Sequence, residues 1–305
     1  MDPQNTKFVS PIYNNVDPYY SSIQEAINNS LDGFVIFIYP GIYNEVISTS
    51  KRLQLVGINK NKCIISYNTS HNQDVFTIFD KGEGVVSISN LTIEQNNIDG
   101  GEALDIGGPS GDYDGDVYID NVILKSANEE ALQIKNAKNV YINNSNLIGS
   151  SAGLYLSNNV EDAVYSVIVK NSFLQGTRFV GVSAAGGQIL QCQNCNIIGG
   201  HDETFDANQA IYIGQIKSTP ILNGCSIIGG TNNAAIKVMT DIGIQVINSK
   251  LLKSGNATYT IVPPGGAPPN GFNVNISLCA MNADIHPDVR NNIANPTNVV
   301  NSRII

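Results

Sequence analysis

The chain has 305 residues, 42% of them apolar, and sets 17 Lys and Arg against 26 Asp and Glu for a formal net charge of −9. That is enough apolar material for a substantial core, and an acidic chain that gathers no stripe of Lys and Arg is excluded as a phosphate-tracking nucleic-acid binder. No stretch approaches the roughly 20 apolar residues of a membrane helix, and the first residues, MDPQNTKFVSPIY, hold no apolar run of the kind a secretory signal needs.

The first predicted element is a short helix. Tyr20 to Ile27 reads YSSIQEAI, in which Ser21 or Ser22 can cap a helix whose Ile23, Ala26 and Ile27 share one face. Residues 1–32 are therefore expected to form an N-terminal arm and capping helix. Phe34 to Ile47, FVIFIYPGIYNEVI, alternates as strands do.

From there a template recurs: VVSISNLTI (85–93), VYIDNVIL (117–124), VYINNSNL (140–147), VIVKNSFL (167–174), LQCQNCNI (190–197), PILNGCSI (220–227) and IQVINSKL (244–251). Apolar residues alternate, a small polar corner follows, and another apolar residue lies three places on. The corners are Asn90, Asn121, Asn144, Asn171, Asn194, Gly224 and Asn248, the residue types that most readily take a left-handed backbone. A second strand follows each corner after a variable insertion: ALDI (103–106), ALQI (131–134), GLYL (153–156), FVGV (179–182), AIYI (210–213), AIKV (235–238) and YTIV (259–262).

Strands this short, with one face always apolar, must stack on the next copy of the repeat. The expected fold is all-β: a single-stranded right-handed parallel β-helix over residues 33–280, with about three short strands per rung. Stacked rungs predict a corner ladder of Asn amides and place Cys195 against Cys225 inside. The remaining cysteines, Cys63, Cys192 and Cys279, are equally scattered. They suggest free thiols folded in a reducing environment, intracellular or virion-associated. Cys192-x-x-Cys195 lacks the second pair that a zinc site would need. PPGGAPPNG (263–271) breaks the repeat, and residues 281–305 form a polar tail expected to cover the last rung or to contact a partner, a second copy included, with a trimer as the candidate assembly.

Alternation along the second strand set points Asp105, Gln133, Tyr155, Gly181, Tyr212 and Lys237 outward, as the floor of a groove. Aromatic and polar groups at one-rung spacing suit a glycan; ordinary solvent-facing positions are the competing account. Asp112, Asp114 and Asp116 alternate in a Gly-rich loop, a spacing that suits Ca2+, with a plain surface turn as the alternative. For acid/base chemistry the candidates are Asp105 with Glu130, and the loop set His201, Asp202, Glu203 and Asp206.

SIQEAINNS (22–30), FVIFIYPGIYNEVI (34–47) and LQLVGINKNKCII (53–65), with Gly41, Tyr43 and Glu45 as a GxYxE element, resemble the start of pectin methylesterases and, more broadly, of the pectin lyase-like superfamily. The resemblance implies the β-helix fold and a polysaccharide-acting ancestry, but not esterase chemistry. The family's QAVAL would fall on Gly101 to Leu104, its acid-bearing QDTL on Glu129 to Leu132, and its nucleophile-bearing DFIFG near Ala152 to Leu156, so that an Ala stands where the nucleophilic Asp should be. The LGRPW segment has no counterpart, and the chain has no Trp. The expectation is a noncatalytic glycan-binding or structural protein, of a virion or a surface. A diverged polysaccharide lyase or glycoside hydrolase acting in the groove is the alternative.

Overall fold

The computed structural model describes residues 5–68, 73–79, 84–108, 113–157, 166–185, 189–202, 208–214, 216–239, 243–262, 274–283, 285 and 303–304. Among these residues the chain forms three parallel sheets of 12, 11 and 9 strands, here called A, B and C. Each coil contributes one strand to each. Val85–Ser89 lies in A, Thr92–Gln95 in B and Leu104–Ile106 in C, and Asp116–Asp120 then returns to A directly beside Val85–Ser89. The segment read as an N-terminal arm contributes Thr6–Val9 to sheet A, next to Val35–Ile38, and Arg303–Ile304 of the tail pairs with Ala280–Met281 in sheet B.

The core is a set of apolar columns. Leu124, Leu147, Leu174, Ile197, Ile227 and Leu251 follow one another in register up sheet B, all buried. Fully burying one such side chain is worth about 1.5–3 kcal/mol, and because no coil can bury its residues alone, the columns hold the stack together.

The corners lie where sheet A turns into sheet B. Asn90, Asn121, Asn144, Asn171, Asn194 and Asn248 all have φ between 47° and 55°, and Gly224 has φ 65°. The amide ladder is not continuous, however. Asn121 donates to Asn90 at 2.7 Å and Asn194 to Asn171 at 3.4 Å, but Asn171 donates instead to Asn143 at 3.0 Å and Asn144 reaches Asp120 at 3.5 Å. Asp120 and Asn143 form the neighbouring outward column, and their oxygens compete for the corner amides.

One residue after the corner, a small donor turns back on the chain. Ser145, Ser172 and Ser249 hydroxyls donate to the carbonyl two residues earlier at 2.6–2.8 Å, and the Cys195, Cys225 and Cys279 thiols do the same at 3.3–3.5 Å. Cys195 and Cys225 precede paired residues on adjacent strands, as expected, and all five cysteines are buried thiols outside any disulfide. The next corner is Leu278, with φ 55° and 57% exposure. A side chain branched for packing gains little there and carries the left-handed penalty, so Leu278→Asn is expected to raise stability by about 1 kcal/mol in chemical denaturation; an unchanged midpoint would mean that the corner is unstrained.

The first coil is closed by the predicted helix, Ile23–Asn28, capped by Ser22, with Ile23, Ala26 and Ile27 buried. One segment clamps both of its ends. Glu45 accepts from the Ile23 and Gln24 N–H groups at 2.8 and 3.1 Å and from the Ser22 hydroxyl at 2.6 Å, placing a negative charge at the positive end of the helix. Lys51 donates to the Ile27, Asn28 and Ser30 carbonyls at 2.8 Å each. The Tyr43 hydroxyl is spent on the Tyr39 and Val9 carbonyls, and a Cβ on Gly41 would meet Pro11 at 2.5 Å. The whole GxYxE element thus builds the cap.

Candidate functional site

Sheet C carries the positions expected to floor a groove. Its strands pair so that Asp105, Gln133, Tyr155, Ser183, Tyr212 and Lys237 stand in one outward column. At the usual strand spacing the column runs about 24 Å. Tyr155, Ser183, Tyr212 and Lys237 are partly exposed, whereas Asp105 and Gln133 are buried beneath their surroundings. Gly181 is not in this column. Val182 pairs with Leu154, which shifts the floor position to Ser183, and Gly181 instead packs where a Cβ would come within 2.7 Å of the Ile198 carbonyl.

At the Asp105 end the structure assembles a carboxyl cluster. Phe76, Leu104 and Leu132 pair from rung to rung, so Asp74, Glu102 and Glu130, each two residues earlier, stack at the entry to sheet C. The Glu102 N–H donates to Asp74 Oδ1 at 3.0 Å, and the Ser151 hydroxyl donates to Glu130 Oε1 at 3.0 Å. Lys135 Nζ donates to Asp105 Oδ2 at 2.8 Å, with Asp105 1% and Lys135 17% exposed. Asp105 Oδ1 is buried and receives no N–H or hydroxyl among the described residues; the neighbour within hydrogen-bonding reach of this side chain, besides Lys135, is the Asp74 carboxyl.

Burial first, and then its hydrogen bond and repulsion with Asp74, push the Glu102 carboxyl up to about 9. Burial also raises Asp105, to about 6, against the opposing pull of Lys135. Burial alone would lower the Lys135 ammonium, but Asp105, Glu102 and Asp74 outweigh it and hold the charge on. Glu130 and Glu129 are raised by burial as well, Glu130 against the bond from Ser151. The cluster therefore carries a proton at neutral pH between carboxyls that cannot all ionise together.

Asp74, Glu102 and Lys135 were not among the sequence candidates, although a signal for them existed. An acid stands two residues before each of four successive sheet C strands, in Glu45-Val46-Ile47, Asp74-Val75-Phe76, Glu102-Ala103-Leu104 and Glu130-Ala131-Leu132. The first of these caps the helix. The column ends at Ala152, which the register places beside Glu130.

The other candidates lie elsewhere. His201 and Asp202 precede the strand Ile211–Ile213, four strands from Asp105 and roughly 19 Å away at normal spacing. Asp202 pairs with Arg178 at 3.2 Å, and His201 Nδ1 lies 3.1 Å from the Thr231 hydroxyl. Glu203 and Asp206 lie outside the described residues, as does Asp112. Asp114 is exposed, and Asp116 opens a strand of sheet A, where Asn139 donates to it at 2.8 Å. Among the described residues no three His, Cys, Asp or Glu side chains are arranged to hold a metal ion, and no helix is long and apolar enough to cross a membrane.

No family model matches the sequence, and no curated protein does. Among solved structures, the chain is similar to the pectin methylesterase from carrot at 12% identity, over 98% of this chain and 88% of that one, with a TM-score of 0.53. It is similar to the A-module of the Azotobacter vinelandii mannuronan C-5 epimerase AlgE4 at 15% identity, over 87% and 85%, with a TM-score of 0.51. The pectin methylesterase from Aspergillus niger follows at 14% identity, over 100% and 91%, with a TM-score of 0.50. At such identities the likeness is one of fold, and the fold is that of the pectin lyase-like β-helices.

Proposed function

We propose that this pectin lyase-like β-helix binds a glycan along the outer face of sheet C without cleaving it as the esterases do. The observation that carries the proposal is the single in-register column running from Asp105 through Tyr155 and Tyr212 to Lys237. Tyrosine faces stack on sugar rings, while the partly exposed Ser183 and Lys237 supply the hydrogen bonds that orient hydroxyls. The similar structures include proteins named for pectin and for mannuronan, which is consistent with a long polysaccharide ligand. Ala152 at the position matching the esterase nucleophile, and the missing LGRPW segment, speak against ester hydrolysis.

A binding screen over neutral and charged polysaccharides tests the proposal. Tyr155→Ala and Tyr212→Ala are each expected to weaken binding about ten-fold, equivalent to about 1.4 kcal/mol. Binding that ignores both substitutions would remove sheet C from consideration.

A second function is favoured by one specific arrangement: Glu102, whose N–H bonds Asp74, and Asp105, bonded to Lys135, stand three residues apart at the entry to sheet C in surroundings that favour the protonated form of the first more than of the second, the division a general acid and a general base require. Under it the chain is a glycoside hydrolase or lyase, and the same screen, read for chain cleavage lost in Asp105→Asn, separates it from binding alone.

A further inference from the structure

Three of the buried thiols meet at one corner of the stack. Cys195 and Cys225 both stand one residue after the turn into sheet B, and the Ser226 N–H donates to the Cys195 carbonyl at 2.8 Å, which sets the two residues in direct register on adjacent coils. The same position is Ser172 on the coil before and Ser249 on the coil after, with Cys279 one coil further. Cys192 is buried in sheet A, where its neighbours on adjacent coils are Val169 and Leu222, and it meets the Cys195 thiol around the turn made by Asn194.

Adjacent strands hold paired Cα atoms about 4.8 Å apart, inside the range of about 4.4–6.8 Å over which disulfides form. Cys195 and Cys225 meet that requirement with both side chains buried, and each thiol lies within hydrogen-bonding reach of the other. Cys225 and Cys279 do not meet it, because the Ser249 coil between them doubles the separation. Contact with Cys192, and then burial, raises the Cys195 thiol to about 12, while contact with Cys195, and then burial, raises Cys225. The folded stack therefore keeps both protonated and, at 2% exposure each, shut off from an oxidant.

We propose that Cys195 and Cys225 are a latent cross-link between coils, a disulfide made by a small disulfide oxidant while the coils are open and preserved by burial once they close. With glutathione disulfide as oxidant, one cysteine releases its proton to solvent and its thiolate attacks a glutathione sulfur, expelling one glutathione thiolate. The thiolate of the other cysteine then attacks the protein sulfur of the mixed disulfide and expels the second. Two electrons pass to glutathione, and the new bond closes the chain over one whole coil, which limits how far the unfolded chain can open.

The test unfolds the intact chain in urea and refolds it in glutathione disulfide or in dithiothreitol, as the wild type, Cys192→Ser and Cys225→Ser; the last places at this corner the residue that Ser172 and Ser249 already supply on nearby coils. Remaining thiols are alkylated and the peptides mapped without reduction. One bond, Cys195 to Cys225, is expected in the wild type and in Cys192→Ser, with Cys63 and Cys279 alkylated and a higher urea midpoint than in dithiothreitol. Cys225→Ser is expected to fold and to lose that bond. A bond between Cys192 and Cys195 in the wild type, any other pairing there, or no bond in the refolded chain would overturn the cross-link. Native chain held in glutathione disulfide without urea is expected to form the bond at least ten-fold more slowly than refolding chain, and equal rates would overturn the protection by burial. For a chain that does not refold, the same map after incubation in glutathione disulfide, at the highest urea concentration that leaves it folded, decides between the same outcomes.

Discussion

Lys135→Met is expected to cost about 3–5 kcal/mol at pH 8 and far less at pH 5. Among the described residues the ammonium of Lys135 is the one cation bonded to Asp105, and both side chains are largely removed from water. Removing one partner of such a pair leaves an uncompensated buried charge, and this, not the attraction lost, accounts for most of the penalty. Asp105 is raised to about 6 even with Lys135 in place. Below that pH the carboxyl takes up a proton and the lysine has little left to neutralise. Guanidinium titrations of the two proteins at pH 5 and pH 8 measure the difference directly. Equal losses at both pH values would mean that Lys135 contributes through packing of its stem alone.

The second large effect is on the intact chain. Asp105, from 3.8, and Glu102, from 4.5, are both raised in the native state. The folded protein therefore holds protons over a range in which the unfolded chain has released them, and stability falls as pH rises through that range. The contribution is fully present below about pH 4, declines through pH 6 as Asp105 ionises, and keeps declining toward pH 9 as Glu102 does. The Asp105 shift alone corresponds to about 3 kcal/mol. The raised carboxyls that decide the profile are Glu102, Asp105 and Glu130, which lie on successive coils beside Asp74 and the opposing Lys135. Asp17 and Asp32 act in the other direction, since Lys7 and Arg52 hold them below the usual carboxylate value, but their contribution is lost only at still lower pH. Maximal stability is thus expected near pH 4–5, with a fall of several kcal/mol by pH 9. Glu102→Gln should flatten the upper part of that profile. A level profile from pH 5 to pH 9 would show that water reaches the cluster and relieves the crowding.

Much of this architecture was legible in the residues. The corner asparagines could be named because only a left-handed backbone gives Asn and Gly such a fixed place in an otherwise variable repeat, and all seven positions take that backbone. Period-two alternation sorted inward from outward side chains along each strand, because a strand's pleat is a local property. The helix cap was equally local, with Ser22 at its start and three apolar residues on one face. The role of Glu45 was less visible. It belongs to a recognisable element, but its partners lie some 22 residues away at the helix N-terminus.

What could not be read was which residue of one coil lies beside which residue of the next. Corners recur at variable intervals, so a count along the chain does not give the register on the far side of an insertion. FVGV alternates correctly by itself and so points to Gly181 as the floor residue; the pairing of Val182 with Leu154 moves the floor to Ser183. For the same reason Asp105 could be picked out as an outward acid, while its company could not. Asp74 and Glu102 are 28 residues apart and Asp105 and Lys135 are 30 apart, and they meet only because the backbone ladder between coils brings them together. The amino-acid sequence by itself determined the coil, its corners and the two faces of every strand, since these follow from the conformation of a few neighbouring residues. Only the tertiary structure decided that four acids and one lysine share a largely buried place at the entry to sheet C, because hydrogen bonding between coils sets that meeting and no local preference records it.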